Sequence, residues 1–173
     1  MMATLVIVLI CGVILLLYIF RISAYSFAIW KYTRQTKTKD LVEEIKVTLL
    51  IPFRNEEKNL PNIILDTQIQ LYPSTYSEVI FINDHSEDGS VAILERLLKE
   101  ADNIRMIHLP EQLYGKKAAI SYGVNHASGD WIIQTDADCR IRPGFISEHV
   151  RAAMNNMKSF IAGPVLLRES KDL

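Results

Sequence analysis

Gln134-Thr135-Asp136-Ala137-Asp138-Cys139 is the stretch on which the reading of the chain turns. It follows an apolar run, Trp131-Ile132-Ile133, with the length and character of a buried strand, and it precedes a basic turn, Arg140-Ile141-Arg142-Pro143-Gly144. Two carboxylates one residue apart therefore sit at a strand tip. Carboxylates this close repel unless a cation lies between them, and Mg²⁺ or Mn²⁺ is commonly held by one or two carboxylates together with a substrate's phosphates. Asp136 and Asp138 are thus candidate metal ligands of a metal–diphosphate site. An Asp-x-Asp alone is common, arising by chance in roughly every second chain of this length, so the rest of the chain must carry the argument.

Working outward, Lys46-Val47-Thr48-Leu49-Leu50-Ile51 is a partly β-branched apolar run that Pro52 is expected to stop. Asn59-Leu60-Pro61 supplies a cap residue and an early proline for a helix whose apolar face includes Ile63, Ile64 and Leu71. Ser77 to Ile82 predicts a second strand, and Val91, Leu94, Leu97, Leu98 and Ala101 recur at helical spacing behind it. Ile104 to Leu109 predicts a third strand, Lys117 to Ala127 a helix, Trp131 to Thr135 a fourth strand, Phe145 to Met157 a helix, and Phe160-Ile161-Ala162 a last strand. Strands alternating with helices of ten to fifteen residues indicate βαβ units, hence an α/β fold with a mainly parallel sheet covered on both faces.

Ligands of such sheets bind beyond the carboxyl ends of the strands. The polar clusters fall there: Arg54-Asn55-Glu56 after the first strand, Asp84 to Ser90 after the second, Gly115-Lys116 beyond the third, and Asp136-Ala137-Asp138 after the fourth. Each alone reads equally as a turn, a helix cap or a solvated charge. Together they describe a nucleotide-diphosphate site. A metal on Asp136 and Asp138 neutralises the diphosphate, Lys116 adds positive charge beside it, and Asp84 and Glu56 accept hydrogen bonds from a base and ribose. His85, His108, His126 and His149 show no metal-ligand spacing and are read as structural.

With 19 basic and 20 acidic residues in 173 and a net charge of −1, the chain gives no support for a nucleic-acid partner. Ala3 to Phe20 contains no charge, and its eighteen residues reach about 27 Å as a helix, enough to cross a hydrocarbon core. A transmembrane anchor at 1–22 is preferred to a cleaved signal peptide, because no basic residue precedes the run and no clear small-x-small cleavage site follows it. Arg21, Lys31, Arg34, Lys37 and Lys39 precede the first acid, Asp40, which puts the following domain in the cytoplasm of a single-pass protein of the cell (inner) membrane. Tyr18, Phe20, Tyr25, Phe27, Trp30 and Tyr32 crowd this boundary, so 23–45 reads as an interfacial, basic linker. Cys11 in the span and Cys139 at the cytoplasmic carboxylate loop predict no disulfide, and Cys139 is read as a small filler.

Several segments in series resemble the family-two glycosyltransferases of the GT-A fold. They are Thr48-Leu49-Leu50-Ile51-Pro52-Phe53-Arg54-Asn55-Glu56, Ile82-Asn83-Asp84-His85-Ser86-Glu87-Asp88-Gly89-Ser90, Gly115-Lys116-Lys117-Ala118-Ala119 with Gly123, and Ala127-Ser128-Gly129-Asp130 leading into Asp136-Ala137-Asp138. The resemblance implies a Rossmann-like GT-A domain at 46–173. It also implies a nucleotide-sugar donor, above all a UDP-sugar, inversion at the anomeric carbon, and Mg²⁺ or Mn²⁺ as cofactor. By position, Pro52, Glu56 and Asp84 would line the nucleoside pocket, with Arg54 in the same loop. Asp136 and Asp138 would hold nucleotide and metal, and Lys116 would lie near the donor.

Asn83 departs from the pattern, standing where many relatives have a second acid. The resemblance also leads one to expect an acceptor half beyond Leu173, so the chain is expected to be the donor-binding half of a membrane-anchored transferase. No general base is assignable within it, although an inverting transfer needs one. A glycan or lipid-linked acceptor in cell-envelope polysaccharide or glycolipid synthesis is expected by analogy. The alternatives are a membrane-tethered nucleotide-binding fragment or partner subunit without turnover, and a nucleotidyltransferase. The latter normally carries a glycine-rich loop that Pro52-Phe53-Arg54-Asn55-Glu56 lacks.

Overall fold

The computed structural model describes residues 2–34, 45–98, 102–156, 161 and 163. The chain divides into two units, Met1–Leu41 and Val42–Leu173. In the first, helix α1 (Met2–Arg34) runs unbroken for 33 residues. Its stretch Val6–Ala28 is long and apolar enough to cross a membrane, and every side chain along that stretch is exposed. A helix apolar on all sides buries nothing of itself, which is the pattern of a helix that needs an apolar surrounding. Residues 23–34 of the expected interfacial linker continue α1 without a break, and 35–44 lie outside the described residues.

The second unit is built on four parallel strands, β1 (Val47–Phe53), β2 (Ser77–Asn83), β3 (Ile104–His108) and β4 (Trp131–Gln134), in the order β3-β2-β1-β4. Helices α2 (Leu60–Gln68), α3 (Ser90–Leu97), α4 (Lys116–His126) and α5 (Phe145–Asn156) connect or follow them. All seven residues of β1 are buried, which is why it reads as a continuous apolar run: both of its faces are covered. Val47, Leu49, Ile51 and Phe53 point to one face and pack with Leu60, Ile63 and Ile64 of α2, Leu94 of α3 and Ile146 and Val150 of α5. Leu50, one residue out of phase, joins Ile80, Ile82 and Ala119 of α4 on the other. At Gly123 a Cβ would lie 2.4 Å from Ile82 Cδ1, so glycine lets α4 approach the sheet closely.

The amino ends of the strands are fastened by one carboxylate. Glu78 Oε2 accepts hydrogen bonds from Thr48 Oγ1 (2.8 Å), Ser128 N (2.9 Å) and Ser128 Oγ (2.9 Å), and Oε1 accepts one from Arg105 Nε (3.0 Å). Gly129 N donates to Thr48 Oγ1 (2.9 Å). Burial pushes the Glu78 pKa up, but the donors from Ser128, Thr48 and Arg105 outweigh it and hold the group below its ordinary value.

Some local expectations are corrected. Helix α2 ends at Gln68, and Leu71 lies beyond it, 74% exposed rather than on the helix's apolar face. The Gln70 side chain leaves the helical path to donate to Asp66 O and Arg142 O (2.8 Å each), and Pro73 follows. Asn59 stands at the cap position of α2 without an oxygen-to-amide cap bond; its Nδ2 donates to Glu56 Oε2 (2.7 Å) instead. Helix α3 stops at Leu97, short of Ala101, which with Phe160 and Ala162 of the expected last strand lies outside the described residues; Ile161 between them is described without strand structure.

A Cβ on Gly129 would lie 2.5 Å from Thr48 N and 2.7 Å from Val47 C, both backbone atoms. Gly129→Ala should therefore destabilise the sheet by about 1–3 kcal/mol, read as a lower urea midpoint of the detergent-solubilised chain. The contribution of Glu78 is complete above its ordinary value of 4.5 and is lost as pH falls through its lower folded value. Glu78→Gln should flatten the acid limb of a stability–pH profile.

Candidate functional site

Strands β1, β2 and β3 progress in one direction across the sheet and β4 returns to the other side of β1, so the order reverses between β1 and β4. Crevices at such reversals bind ligands. Here the opening has a local cause. Along β1 the residues facing β4 accept from it: Lys46 O from Trp131 N (3.1 Å) and Leu50 O from Thr135 N (3.2 Å). The next residue facing that way is Pro52, which has no N–H to continue the ladder. Toward β2 the pairing persists to Phe53, whose carbonyl accepts from Asp84 N (2.9 Å). Pro52 is thus buried inside β1 rather than ending it, and it is placed where the chain after β4 departs.

The loops after β1 and β2 are sewn together. Asn55 N donates to Ser86 Oγ (3.0 Å), Glu56 N to Ser90 Oγ (2.8 Å) and Glu57 N to Asp88 Oδ2 (3.2 Å). In return Glu87 N donates to Asn55 Oδ1 (2.8 Å) and Gly89 N to Glu57 Oε2 (3.0 Å). Asn55 and His85 both hold φ at 56°, the left-handed region that non-glycine residues enter at a cost of about 1 kcal/mol. Desolvation pushes the Asp88 pKa up, but the bonds from Ser90 and Glu57 N–H prevail and leave it below the usual carboxylate value. Arg54 is exposed and, among the described residues, reaches Glu87 alone, at 4.0 Å.

Asp84 is 7% exposed, and its two oxygens differ. Oδ2 accepts the Gly115 N–H (3.0 Å), whereas Oδ1 is buried with no partner among the described residues. A buried carboxylate oxygen without a donor costs free energy that only a ligand or water can restore. Gly115 has φ +88°, where a side chain would be strained, and its turn starts α4 with Lys116 at the rim. Lys116 Nζ lies 2.6 Å from Asp136 Oδ1 and 2.7 Å from Oδ2. The repulsion expected between Asp136 and Asp138 is thus relieved on one side by the lysine, which the sequence reading had placed beside a phosphate. Asp138 is exposed and makes no hydrogen bond or ion pair among the described residues. No three His, Cys, Asp or Glu side chains converge among the described residues. Two accessible carboxylates with only oxygen donors do fit a hard divalent ion that keeps its waters and binds phosphate oxygens. Burial, then the Asp138 and Asp136 charges, push the Cys139 thiol up, away from thiolate chemistry.

The turn after Asp138 is held by a contact that motif reading missed. Asp66 on α2 is 4% exposed; it accepts from Arg140 Nε (2.7 Å), Arg140 Nη2 (2.8 Å) and Ile141 N (3.1 Å). Gln70 Oε1 accepts from Ile146 N (3.2 Å), and Leu71 N donates to Pro143 O (2.6 Å). The available signal was an acid on the buried side of α2, beside Ile63 and Thr67, which demands a partner.

The sequence matches the Glycosyl transferase family 2 profile over residues 48–172. The chain belongs to that family. Its relatives include the undecaprenyl-phosphate 4-deoxy-4-formamido-L-arabinose transferase of Salmonella choleraesuis, 36% identical over 62% of this chain and 33% of that protein. A dolichyl-phosphate beta-glucosyltransferase of Trichomonas vaginalis is 28% identical over 74% of this chain and 42% of its own. The chain therefore spans about a third to two fifths of the length of these curated relatives. Among solved structures, a mannosyltransferase from Pyrobaculum calidifontis in complex with GDP-Man and Mn2+ superposes with a TM-score of 0.54 at 23% identity, covering 69% of this chain and 36% of that one. S. aureus TarS in complex with UDP superposes at 0.56 and 20% identity, covering 65% and 33%. These likenesses establish the GT-A fold for this glycosyl transferase family 2 chain.

Arg140→Met leaves the Asp66 carboxylate buried with Ile141 N–H as its remaining donor. A lower unfolding free energy is expected, with Asp66→Asn recovering part of the loss in the double variant. Denaturant titration of the four-member cycle measures the coupling.

Proposed function

We propose that this chain binds the donor of an inverting glycosyltransferase that moves a sugar from a nucleoside diphosphate to a glycan or lipid-linked acceptor in cell-envelope polysaccharide or glycolipid synthesis. The observation that carries this reading is the unpartnered Oδ1 of Asp84, in the rim that also bears the Lys116–Asp136 pair. A base N–H or ribose hydroxyl satisfies that oxygen. Pro52, Arg54 and Glu56 bound the nucleoside side of the crevice, and Lys116 meets the diphosphate. Asp136 and Asp138 would hold Mg²⁺ or Mn²⁺, which when bound supplies Lewis-acid stabilisation of the leaving diphosphate.

Similarity to proteins named for undecaprenyl-phosphate and dolichyl-phosphate supports a polyprenyl-phosphate acceptor. UDP-sugars are the preferred donors on this reading. Residues 1–22 anchor the chain in the cell membrane, 23–45 form the basic linker, and 46–173 form the transferase domain on the cytoplasmic side. The basic residues Arg21, Lys31, Arg34, Lys37 and Lys39 support that orientation.

Calorimetric titration of the detergent-solubilised chain with UDP and GDP, with and without Mn²⁺, tests the reading. Metal-dependent binding of at least one nucleotide is expected, weakened at least tenfold in Asp138→Asn and in EDTA. Equal affinity in Asp138→Asn counts against the metal assignment, and no binding of either nucleotide counts against the donor site.

A further inference from the structure

His85 was read from sequence as structural, and nothing in the donor-site reading uses it. Its place in the fold is specific. It follows Asp84 directly, with its backbone in the left-handed region. That setting turns the ring toward the β3–α4 loop, where Nε2 lies 3.0 Å from Leu113 O and the ring centroid lies 4.6 Å from that of Tyr114. A carbonyl only accepts, so Nε2 carries the proton of this bond. The residue after Tyr114 is Gly115, whose N–H donates to Asp84 Oδ2, and the next is Lys116, whose ammonium holds Asp136. One short loop thus delivers two donor-site contacts. Leu109 at the start of this loop is buried in the core, whereas Leu113 and Tyr114 are exposed, so the core does not hold the stretch that leads into Gly115.

We infer that His85 is a positioning residue for the donor site: by clasping Leu113 and Tyr114 it sets the β3–α4 loop so that the Gly115 amide meets Asp84 and the Lys116 ammonium meets Asp136. The inference rests on the donor-site reading above. The left-handed backbone at His85 belongs to the device, because the extended alternative would turn the ring elsewhere. Glycine at this position would take the same backbone more easily and still lose the clasp.

The test uses the full chain in detergent and two readouts, hydrogen exchange of the Gly115 amide without nucleotide and the affinity for UDP or GDP with Mn²⁺. His85→Ala and His85→Gly should each speed Gly115 exchange and weaken nucleotide binding, by about five- to tenfold, the effect of one lost hydrogen bond. His85→Gln, which restores an N–H donor of similar reach, should recover both to within about threefold. Unchanged exchange in His85→Ala overturns the clasp. Faster exchange with unchanged affinity overturns its role at the donor site. Full function in His85→Gly would assign the effect to backbone conformation alone and overturn the role of the ring. A wild-type chain that binds neither nucleotide removes the donor-site reading and this role with it, and that failure is recognised before any variant is made.

Discussion

The domain depends on a single buried strand that is hydrogen-bonded along both edges until a proline ends one of them. Strand β1 carries the core on each face and sets the register of β2 and β4. Because Pro52 cannot donate toward β4, the β1–β4 ladder stops near Leu50 while the β1–β2 ladder runs on to Phe53. The sheet therefore opens at its carboxyl edge on one side only. That asymmetry leaves Asp136 and Asp138 free to turn away from the sheet, while Asp84 stays fastened to Phe53.

The two ends of the sheet divide stability from chemistry. At the amino ends, Glu78 gathers Thr48, Ser128 and Arg105 with its hydrogen bonds satisfied, and glycine at 129 allows the chain to press against β1. At the carboxyl ends, among the described residues, polar groups are left partly unsatisfied or paired by accessible charges: Asp84 Oδ1 without a donor, Asp138 without a partner, Lys116 on Asp136. Such incomplete satisfaction is what a polar ligand completes, and it is where local strain at Asn55 and His85 also collects. The Asp66–Arg140 contact lies between the two regimes, an ion pair of a buried carboxylate with an exposed guanidinium that fixes the turn leaving the carboxylate loop.

Much of this was legible before any coordinates. Apolar runs of strand length alternating with amphipathic helical spacing dictate a parallel sheet, and its polar loops then fall on one rim. What escaped the sequence was the pairing of side chains across that rim. Lys116 and Asp136 are twenty residues apart and Asp66 and Arg140 seventy-four, and no periodicity links such positions. Pro52 was expected to end a strand because a proline breaks a ladder; only the strand order reveals that it breaks one ladder of two. Asn59 looked like a cap by residue type, yet its amide is drawn to Glu56, a competition between two hydrogen bonds that composition does not resolve. Leu71 fitted the helical spacing but lies past the point where Gln70 turns to the Arg142 carbonyl.

The most direct measurement is a crystal structure of the chain soaked with UDP or GDP and Mn²⁺, with anomalous data collected for manganese. The account requires the nucleoside in the opening between β1 and β4, with a donor group on Asp84 Oδ1 and the manganese signal at Asp136 and Asp138. A nucleotide bound elsewhere, or one in the crevice that leaves Asp84 Oδ1 without a partner, would contradict it.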